Sequence, residues 1–139
     1  LPVTVSRRPG ASSDPGSLWL YGRAGPHRTA RLAYEHEVFG ELIVPTQLAP
    51  FELDDLVSAV SQTRRLLLIE EGALSLGWGA EVAAQAAERL GPRLQAVRRV
   101  AGRDLPIPAA GSLEAKVLPG VEEILQAALA LTGRHPPAA

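Results

Sequence analysis

Residues 65–90 read RLLLIEEGALSLGWGAEVAAQAAERL and decide the fold class of this 139-residue chain. The continuous apolar run at 66–69 is typical of a central strand that is covered on both faces. Three glycines follow within eight positions, and Gly91-Pro92 ends the segment after them. That segment is predicted to be a helix because apolar residues recur at helical spacing on an inward face: Val82, Ala83, Ala86, Ala87 and Leu90.

Similar patterns flank this stretch on both sides. Upstream, apolar runs at 18–21 and 42–44 predict two strands, and a helix is expected after Pro26. A second upstream helix is predicted from an apolar stripe at helical spacing: Leu53, Leu56, Val57 and Val60. Downstream, residues 94–100 predict a strand, which a Pro-rich loop follows. A last helix is expected over 119–131, with these residues inward: Val121, Ile124, Leu125 and Ala128. Alternating strands and helices predict an α/β domain, a mostly parallel sheet with helices on both faces.

The ends differ in composition from this alternating region. The predicted domain covers residues 17–131. Residues 1–16 hold one short strand at best and resemble a lead-in or linker. Residues 132–139 are expected to be a flexible tail. Methionine is absent, including at position 1, so we expect a processed protein or a piece of a longer one.

Composition excludes several classes of protein. No apolar stretch approaches the roughly 18 residues that cross a bilayer, and no secretory signal is visible. The net charge of −1 gives no global attraction for nucleic acid or anionic lipid. Cysteine is absent, which excludes disulfides and thiolate metal sites. We therefore expect a cytoplasmic protein with neither a nucleic-acid nor a membrane partner.

Three mechanisms could use a glycine turn between a strand and a helix, and each lacks a required residue. A phosphate-binding P-loop fails because Trp78 and Gly79 occupy the Lys and Ser/Thr positions. A dinucleotide fingerprint is disfavoured because Val82 stands where the last Gly or Ala belongs. A hydrolase elbow is disfavoured because Gly72 is one residue too far from Ser75.

A structural connection accounts for every residue of the turn. Gly77 and Gly79 would let the chain pass close to neighbouring backbone, and Trp78 would be a packing anchor in the domain or at an interface. Glu81 is expected in the first turn of the helix, near its positive end. A weak anion site at the same helix N-terminus stays open, although Glu81 would repel the anion.

The titratable residues form no complete catalytic group. His27, His36 and His135 lack a metal-binding spacing, and the arginine pairs 7–8 and 98–99 are expected to be solvated. Neighbouring carboxylates such as Glu70 and Glu71 diverge, so none forms an acid/base dyad by itself. We assign no catalytic, cofactor-binding or metal-binding residue. Glu70 and Glu71 do follow a buried strand, where open α/β sheets place their sites.

Three separated motifs together resemble one family. EEGALSLGWGAEVAAQAAERL resembles the EEG…GG-[FW]-GAE-[IV] segment of the C-terminal transketolase-type domain. RRVAGRDLPIPAAGSLEAKVLPGVEEIL is similar to the closing segment in the beta subunit of the first component of 2-oxoacid dehydrogenase complexes, with Asp104 in its D-x-P-x-P motif. PFELDDLVSAVSQTRRLLLIEEG resembles the family's P-L-D helix and the strand after it.

The resemblance implies a three-layer α/β/α sandwich with a five-stranded mixed sheet, one edge strand antiparallel. It implies an enzyme that uses thiamine diphosphate and magnesium to decarboxylate a 2-oxoacid such as pyruvate. Other domains hold that cofactor, and the family's cofactor motif needs an asparagine that this chain lacks. We therefore expect this chain to bind no cofactor and to be inactive by itself, while its status as an enzyme stays open.

The partners implied by the resemblance are an alpha subunit, a second beta subunit of a heterotetramer and the basic subunit-binding domain of the acyltransferase. A homodimer of the isolated domain is a further expectation. The interface candidates are Glu70, Glu71, Trp78, Glu81, Asp104, Glu122 and Glu123. Two alternatives remain: a free-standing regulatory or anion-binding module that reuses the fold, and the terminal domain of a transketolase-like enzyme.

Overall fold

The computed structural model of the protein describes residues 17–22, 35–45 and 47–133. These residues form a four-stranded sheet in the order β2-β1-β3-β4, and all of its strand pairs are parallel. The strands are β1 Ser17–Gly22, β2 Phe39–Ile43, β3 Arg65–Ala73 and β4 Ala96–Gly102. The predicted parallel sheet is confirmed. The fifth, antiparallel strand stays a prediction, since residues 1–16 lie outside the described ranges.

Four helices that lie entirely within the described residues connect or follow these strands. They are α1 Asp54–Thr63, α2 Trp78–Leu90, α3 Gly111–Val117 and α4 Val121–Thr132. A short 3₁₀ turn, Gly91–Arg93, follows α2 at the predicted Gly-Pro stop. The residues on which the helix after Pro26 is predicted, Ala30, Ala33 and Tyr34, lie outside the described residues, whereas Glu35 and His36 are described and helical. Among the described helices, none has the length and apolar character needed to cross a bilayer.

Strand β3 is the element that both apolar layers share. Leu66 and Leu68 face the layer that contains α1 and α2, whereas Leu67 and Ile69 face the layer that contains α4. All four side chains are at most 4% exposed. Because successive strand residues point to opposite faces, one apolar run supplies both layers. The predicted three-layer α/β/α sandwich is thereby confirmed.

Each layer is completed by aliphatic side chains from the helices and the other strands. The α1/α2 layer also contains Ile43, Leu53, Leu56, Val60, Val82, Ala86 and Leu90. The α4 layer also contains Val38, Val100, Ile124, Leu125, Ala127, Ala128 and Leu129. The stripes predicted for α1 and α2 therefore face the sheet as expected, apart from the exceptions below.

Several strand boundaries differ from prediction. β2 begins at Phe39 and ends before Val44, and β4 lies two residues later than predicted. β3 continues past the apolar run to Ala73, where it still pairs with Gly102 after an irregularity in register. Backbone pairing extends the strands there without buried apolar side chains, and hydrophobic pattern alone does not reveal it.

The helices also differ in three places. Ala87 was expected inward but is exposed, because the α2 stripe runs through Val82, Ala86 and Leu90. Val121 was expected inward but is 37% exposed in the first turn of α4. Helix α3 is not predicted from the sequence, because only Val117 is buried in it and a seven-residue helix shows no apolar period. α4 begins at Val121, after the predicted Pro119, and continues to Thr132.

Candidate functional site

The carboxylate of Glu70 lies beneath the N-terminus of α2. Its Oε2 accepts a hydrogen bond from the backbone N–H of Gly79 at 3.1 Å, and its side chain is only 11% exposed. The N-cap residue, Gly77, has no side chain to cap the helix. Glu70 therefore supplies the acceptor that an N-cap side chain usually gives, and its negative charge lies at the positive end of the helix.

Arg99 on β4 holds the same carboxylate from the sheet side. Its Nη2 lies 3.3 Å from Oε1 of Glu70 and also donates to the carbonyl of Leu74. The Arg99 side chain is 21% exposed, and its buried Nε has no hydrogen-bond partner in the described part of the chain. The expectation that Arg99 is solvated is wrong, whereas its neighbour Arg98 is exposed.

The register of the sheet explains this pair. Arg99 is opposite Leu68 in the β3–β4 ladder, so both face the α1/α2 layer. Glu70 is two residues beyond Leu68 and faces the same way, so it meets Arg99 diagonally. Glu71 is on the other face and exposed. The predicted divergence of Glu70 and Glu71 is confirmed, and only the first reaches the glycine turn.

The glycines provide the space that this carboxylate needs. A Cβ on Gly77 would lie 2.3 Å from the carbonyl oxygen of Ala73 and 2.8 Å from Oε1 of Glu70. A Cβ on Gly79 would lie 2.6 Å from the same Oε1. The φ of Gly77 is −69°, which any residue can adopt, so crowding and not backbone conformation requires glycine there. The predicted structural connection is confirmed, with a carboxylate as well as backbone as its close neighbour.

Asp104 joins the glycine turn to the loop after β4. Its Oδ1 accepts the backbone N–H of Ser75 at 2.9 Å, and its Oδ2 accepts the Ser75 hydroxyl at 2.7 Å. Leu74 N–H donates to the carbonyl of Gly102 at 2.9 Å beside this contact. The Ser75 hydroxyl, then its N–H, and more weakly the charge of Arg99 lower the pKa of Asp104 below its ordinary 3.8, against a small opposing desolvation.

Trp78 is the first residue of α2 and packs inside the domain. Its ring meets Phe51 edge-on at 76° with centroids 5.0 Å apart, and its Nε1 donates to the carbonyl of Leu48 at 3.2 Å. This confirms the packing role expected of Trp78. A role at an interface remains a prediction.

The remaining predicted residues lie away from this turn. Glu81 is exposed in the first turn of α2 and accepts a hydrogen bond from Gln85 Nε2 at 2.7 Å. Glu122 and Glu123 are exposed in the first turn of α4, on the opposite layer. In the part of the chain that the structure describes, no group of three or more His, Asp or Glu side chains could hold a metal ion.

The contacts of the Glu70 carboxylate with Gly79 N–H and Arg99, here called the brace, occupy the place where the sequence left an anion site open. The donor that a phosphate would use, the N–H of Gly79, already binds Glu70. A carboxylate at this position repels a second anion in a poorly solvated setting. Sequence reasoning missed Arg99 and Ser75, although the alternating pattern of β3 and β4 could have placed Arg99 on the α2 side.

Replacing Glu70 by Gln should lower the free energy of unfolding by about 2–3 kcal/mol, because it leaves Arg99 without its buried counter-ion. Urea unfolding followed by circular dichroism measures this change. The matched control is Asp54→Asn, which breaks the solvent-exposed pair between Asp54 and Arg89 at 2.6 Å and should cost less than about 1 kcal/mol. Equal losses in both variants would show that the Glu70 pair is energetically an ordinary surface pair.

Replacing Gly77 by Ala should cost about 2–3 kcal/mol, because the new methyl group collides with backbone at Ala73. Gly120→Ala is the control, since Gly120 is also a helix N-cap with extended backbone but has open space at its Cβ position. The control should cost about 0.5 kcal/mol, the ordinary loss from an alanine N-cap. Thermal unfolding of both variants tests the difference, and similar midpoints would contradict the crowding argument.

Stability should decrease in acid partly through Asp104. Because its pKa is lower in the folded state, its contribution is complete above the ordinary value of 3.8 and is lost as the pH falls through the lower folded pKa. The stability difference between the native chain and Asp104→Asn should therefore be constant above about pH 5 and shrink as the pH falls from there to about pH 3. Ser75→Ala, which removes the hydroxyl donor, should weaken the same pH dependence. A difference that is constant across this range would refute the assignment.

Comparisons with known proteins bear on the whole fold. A family model described as "Transketolase, C-terminal domain" matches residues 27–124. The mitochondrial pyruvate dehydrogenase E1 component subunit beta of Pisum sativum is 34% identical over 113 residues, which cover 81% of this chain and 32% of that protein. The 3-methyl-2-oxobutanoate dehydrogenase subunit beta of Mycobacterium tuberculosis (strain ATCC 25618 / H37Rv) is 37% identical over 92 residues, 66% of this chain and 26% of that protein.

A solved structure supports the same fold. "Split gene transketolase, inactive beta4 tetramer" superposes with a TM-score of 0.65 at 16% identity and covers 86% of this chain and 43% of that one. The chain spans about a third or less of the two curated relatives described above. The family match, by contrast, extends over most of the chain and over all the described helices and strands from β2 to the start of α4. The chain therefore belongs to the transketolase C-terminal domain family.

Proposed function

We propose that this chain is the C-terminal assembly and docking domain of the beta subunit of a thiamine diphosphate-dependent 2-oxoacid dehydrogenase. The two curated relatives, named for pyruvate and for 3-methyl-2-oxobutanoate, support this enzyme class. The whole enzyme would carry out oxidative decarboxylation of a 2-oxoacid, with an alpha subunit and a second beta subunit as partners. The cytoplasmic location is part of the proposal, although the pea relative is named mitochondrial.

The observation that carries the non-catalytic part of this proposal is the filled glycine turn. Thiamine diphosphate would need backbone donors and a magnesium ion for its diphosphate, and a glycine turn at a helix N-terminus is a usual place for such a group. Here the Glu70 carboxylate occupies that position, and Gly77 and Gly79 leave room for it alone. The turn therefore does not fit the cofactor, and it also disfavours an anion-binding module built on the same turn.

The docking part of the proposal rests on the charge at the start of α4. Glu122 and Glu123 are both exposed in its first turn. An acidic group of this kind complements a basic partner such as the subunit-binding domain of an acyltransferase. Helix α4 itself is fixed to the sheet by Ile124 and Ala128, so these carboxylates project from a rigid base.

Charge removal on α4 should therefore weaken docking. Glu123→Gln should raise the dissociation constant for a basic acyltransferase subunit-binding domain about three- to tenfold at low salt, with a smaller effect at high salt. Glu88→Gln is the control, because Glu88 is exposed on α2 in the opposite layer and its replacement changes the net charge equally. Isothermal titration calorimetry on both variants at two salt concentrations measures these changes.

Two results would contradict the proposal. Equal effects of Glu123→Gln and Glu88→Gln would remove the docking role of α4. Turnover of a 2-oxoacid by this chain alone, when supplied with thiamine diphosphate and magnesium, would refute the non-catalytic assignment. We expect no turnover and no cofactor-dependent change in the unfolding midpoint.

A further inference from the structure

We propose that the outer edge of β4 binds an acidic, extended segment of a partner protein, which pairs with β4 as an additional strand. The surface consists of this edge and of four arginines beside its first half: Arg64, Arg65, Arg93 and Arg98, here called the arginine cluster. The proposal does not depend on the docking of a basic domain at α4, because it concerns another surface and a partner of opposite charge.

Strand β4 has an open edge in the described part of the chain. It is the last strand in the order β2-β1-β3-β4, so only its side toward β3 is paired. Ala96 N–H donates to the carbonyl of Arg64 at 3.3 Å, so Ala96 and Arg98 turn their polar backbone groups toward β3. The alternate residues, Val97 and Arg99, turn theirs away from the sheet. No described residue forms a hydrogen bond with these outward N–H and C=O groups, which leaves them available to a further strand.

The arginine cluster lies at the start of this edge. Arg64 Nε donates to the carbonyl of Arg93 at 3.1 Å, and Arg65 is opposite Ala96 in the β3–β4 ladder. Arg98 is two residues beyond Ala96 and therefore lies on the same face of the sheet as Arg65. Arg64, Arg93 and Arg98 are exposed, and Arg65 is half-buried. The four cationic side chains are thus gathered around the beginning of β4.

No described carboxylate pairs with the arginine cluster. Its members donate only to backbone carbonyls or to no described residue. The segments 57–69 and 90–103 contain no Asp or Glu, and Asp54, which reaches the end of α2, is already bound to Arg89 at 2.6 Å. Because Nε of Arg64 is held by a carbonyl, the two terminal nitrogens of its guanidinium group are presented together, as bidentate binding of a carboxylate requires.

The edge and the cluster together favour an acidic strand over other partners. A free anion or a nucleic acid would contact the guanidinium groups but could not use the outward backbone groups, which repeat every two residues, or about 6.6 Å. An extended peptide matches that repeat, and its apolar side chains can pack on Val97, which is 36% exposed. A second β4 edge is disfavoured, because its own arginines would repel this cluster.

Fluorescence anisotropy on the full chain tests the charge requirement, with a labelled peptide of about ten residues in which Glu alternates with Val or Thr. We expect a dissociation constant below about 100 μM at low salt and weaker binding at high salt. Arg98→Gln should raise the dissociation constant about three- to tenfold. Lys116→Gln is the control, because it changes the net charge equally but lies on α3, where the neighbouring Val117 binds Arg103 beyond the far end of β4. It should leave binding nearly unchanged.

Two further measurements test the backbone pairing. Val97→Pro removes an outward N–H without removing a hydrogen bond to β3, so circular dichroism should show a native fold while peptide binding weakens at least about tenfold. The second measurement uses the native chain and is independent of how proline affects the strand. The same peptide is N-methylated at every second residue, in each of the two possible sets. All carboxylates remain, and the set whose N–H groups face β4 should bind at least about tenfold more weakly.

Three results would overturn the inference. The first is a native chain that does not bind the unmodified peptide at that concentration, or that binds it as Arg98→Gln does. The second is equal binding of the unmodified peptide and both N-methylated peptides, which would make the cluster a general anion-binding surface. The third is tighter binding of a single-stranded RNA of equal charge, which would assign the cluster to nucleic acid.

Discussion

The contact between Glu70, Arg99 and the start of α2 joins three elements, β3, β4 and α2. A carboxylate with 11% exposure and a guanidinium with 21% exposure have each lost most of their water, so each needs the hydrogen bonds that the other supplies. The Gly79 N–H completes the set from the helix. This contact requires three things: the β3–β4 register, glycine at 77 and 79, and a helix α2 that begins at Trp78. It holds the turn between β3 and α2 against the sheet.

A glycine turn between a strand and a helix has the same appearance in a sequence whether it binds an external anion or an internal one. The residue that distinguishes the two cases is Glu70, nine positions before Gly79, whose N–H is the donor. Its partner Arg99 lies twenty positions after Gly79. In this domain the anion is part of the chain. A phosphate or nucleotide therefore has no space to bind at this turn.

Much of the fold could be predicted from the sequence, because the apolar run of β3 and the stripes of α1 and α2 each have a clear period. The pattern could not predict α3, whose seven residues bury only Val117, or the extension of β3 to Ala73 by backbone pairing. The contacts within the candidate site were harder to predict from the sequence. The position of Gly77 and Gly79 in the turn indicated that they allow close packing. It did not indicate that the Glu70 carboxylate is what packs against them. That carboxylate is held by Arg99, and the face of the sheet on which Arg99 lies depends on the register between β3 and β4.

The shared strand has a further consequence for how the family can vary in length. Since Leu66 and Leu68 fill one layer while Leu67 and Ile69 fill the other, inserting or deleting one residue among them would exchange the two sets and turn Glu70 away from Arg99. Such a change would disturb both layers and the brace at once. Length changes are therefore expected in the loops, whereas the six positions from Arg65 to Glu70 should keep a fixed count in every relative that shares this brace.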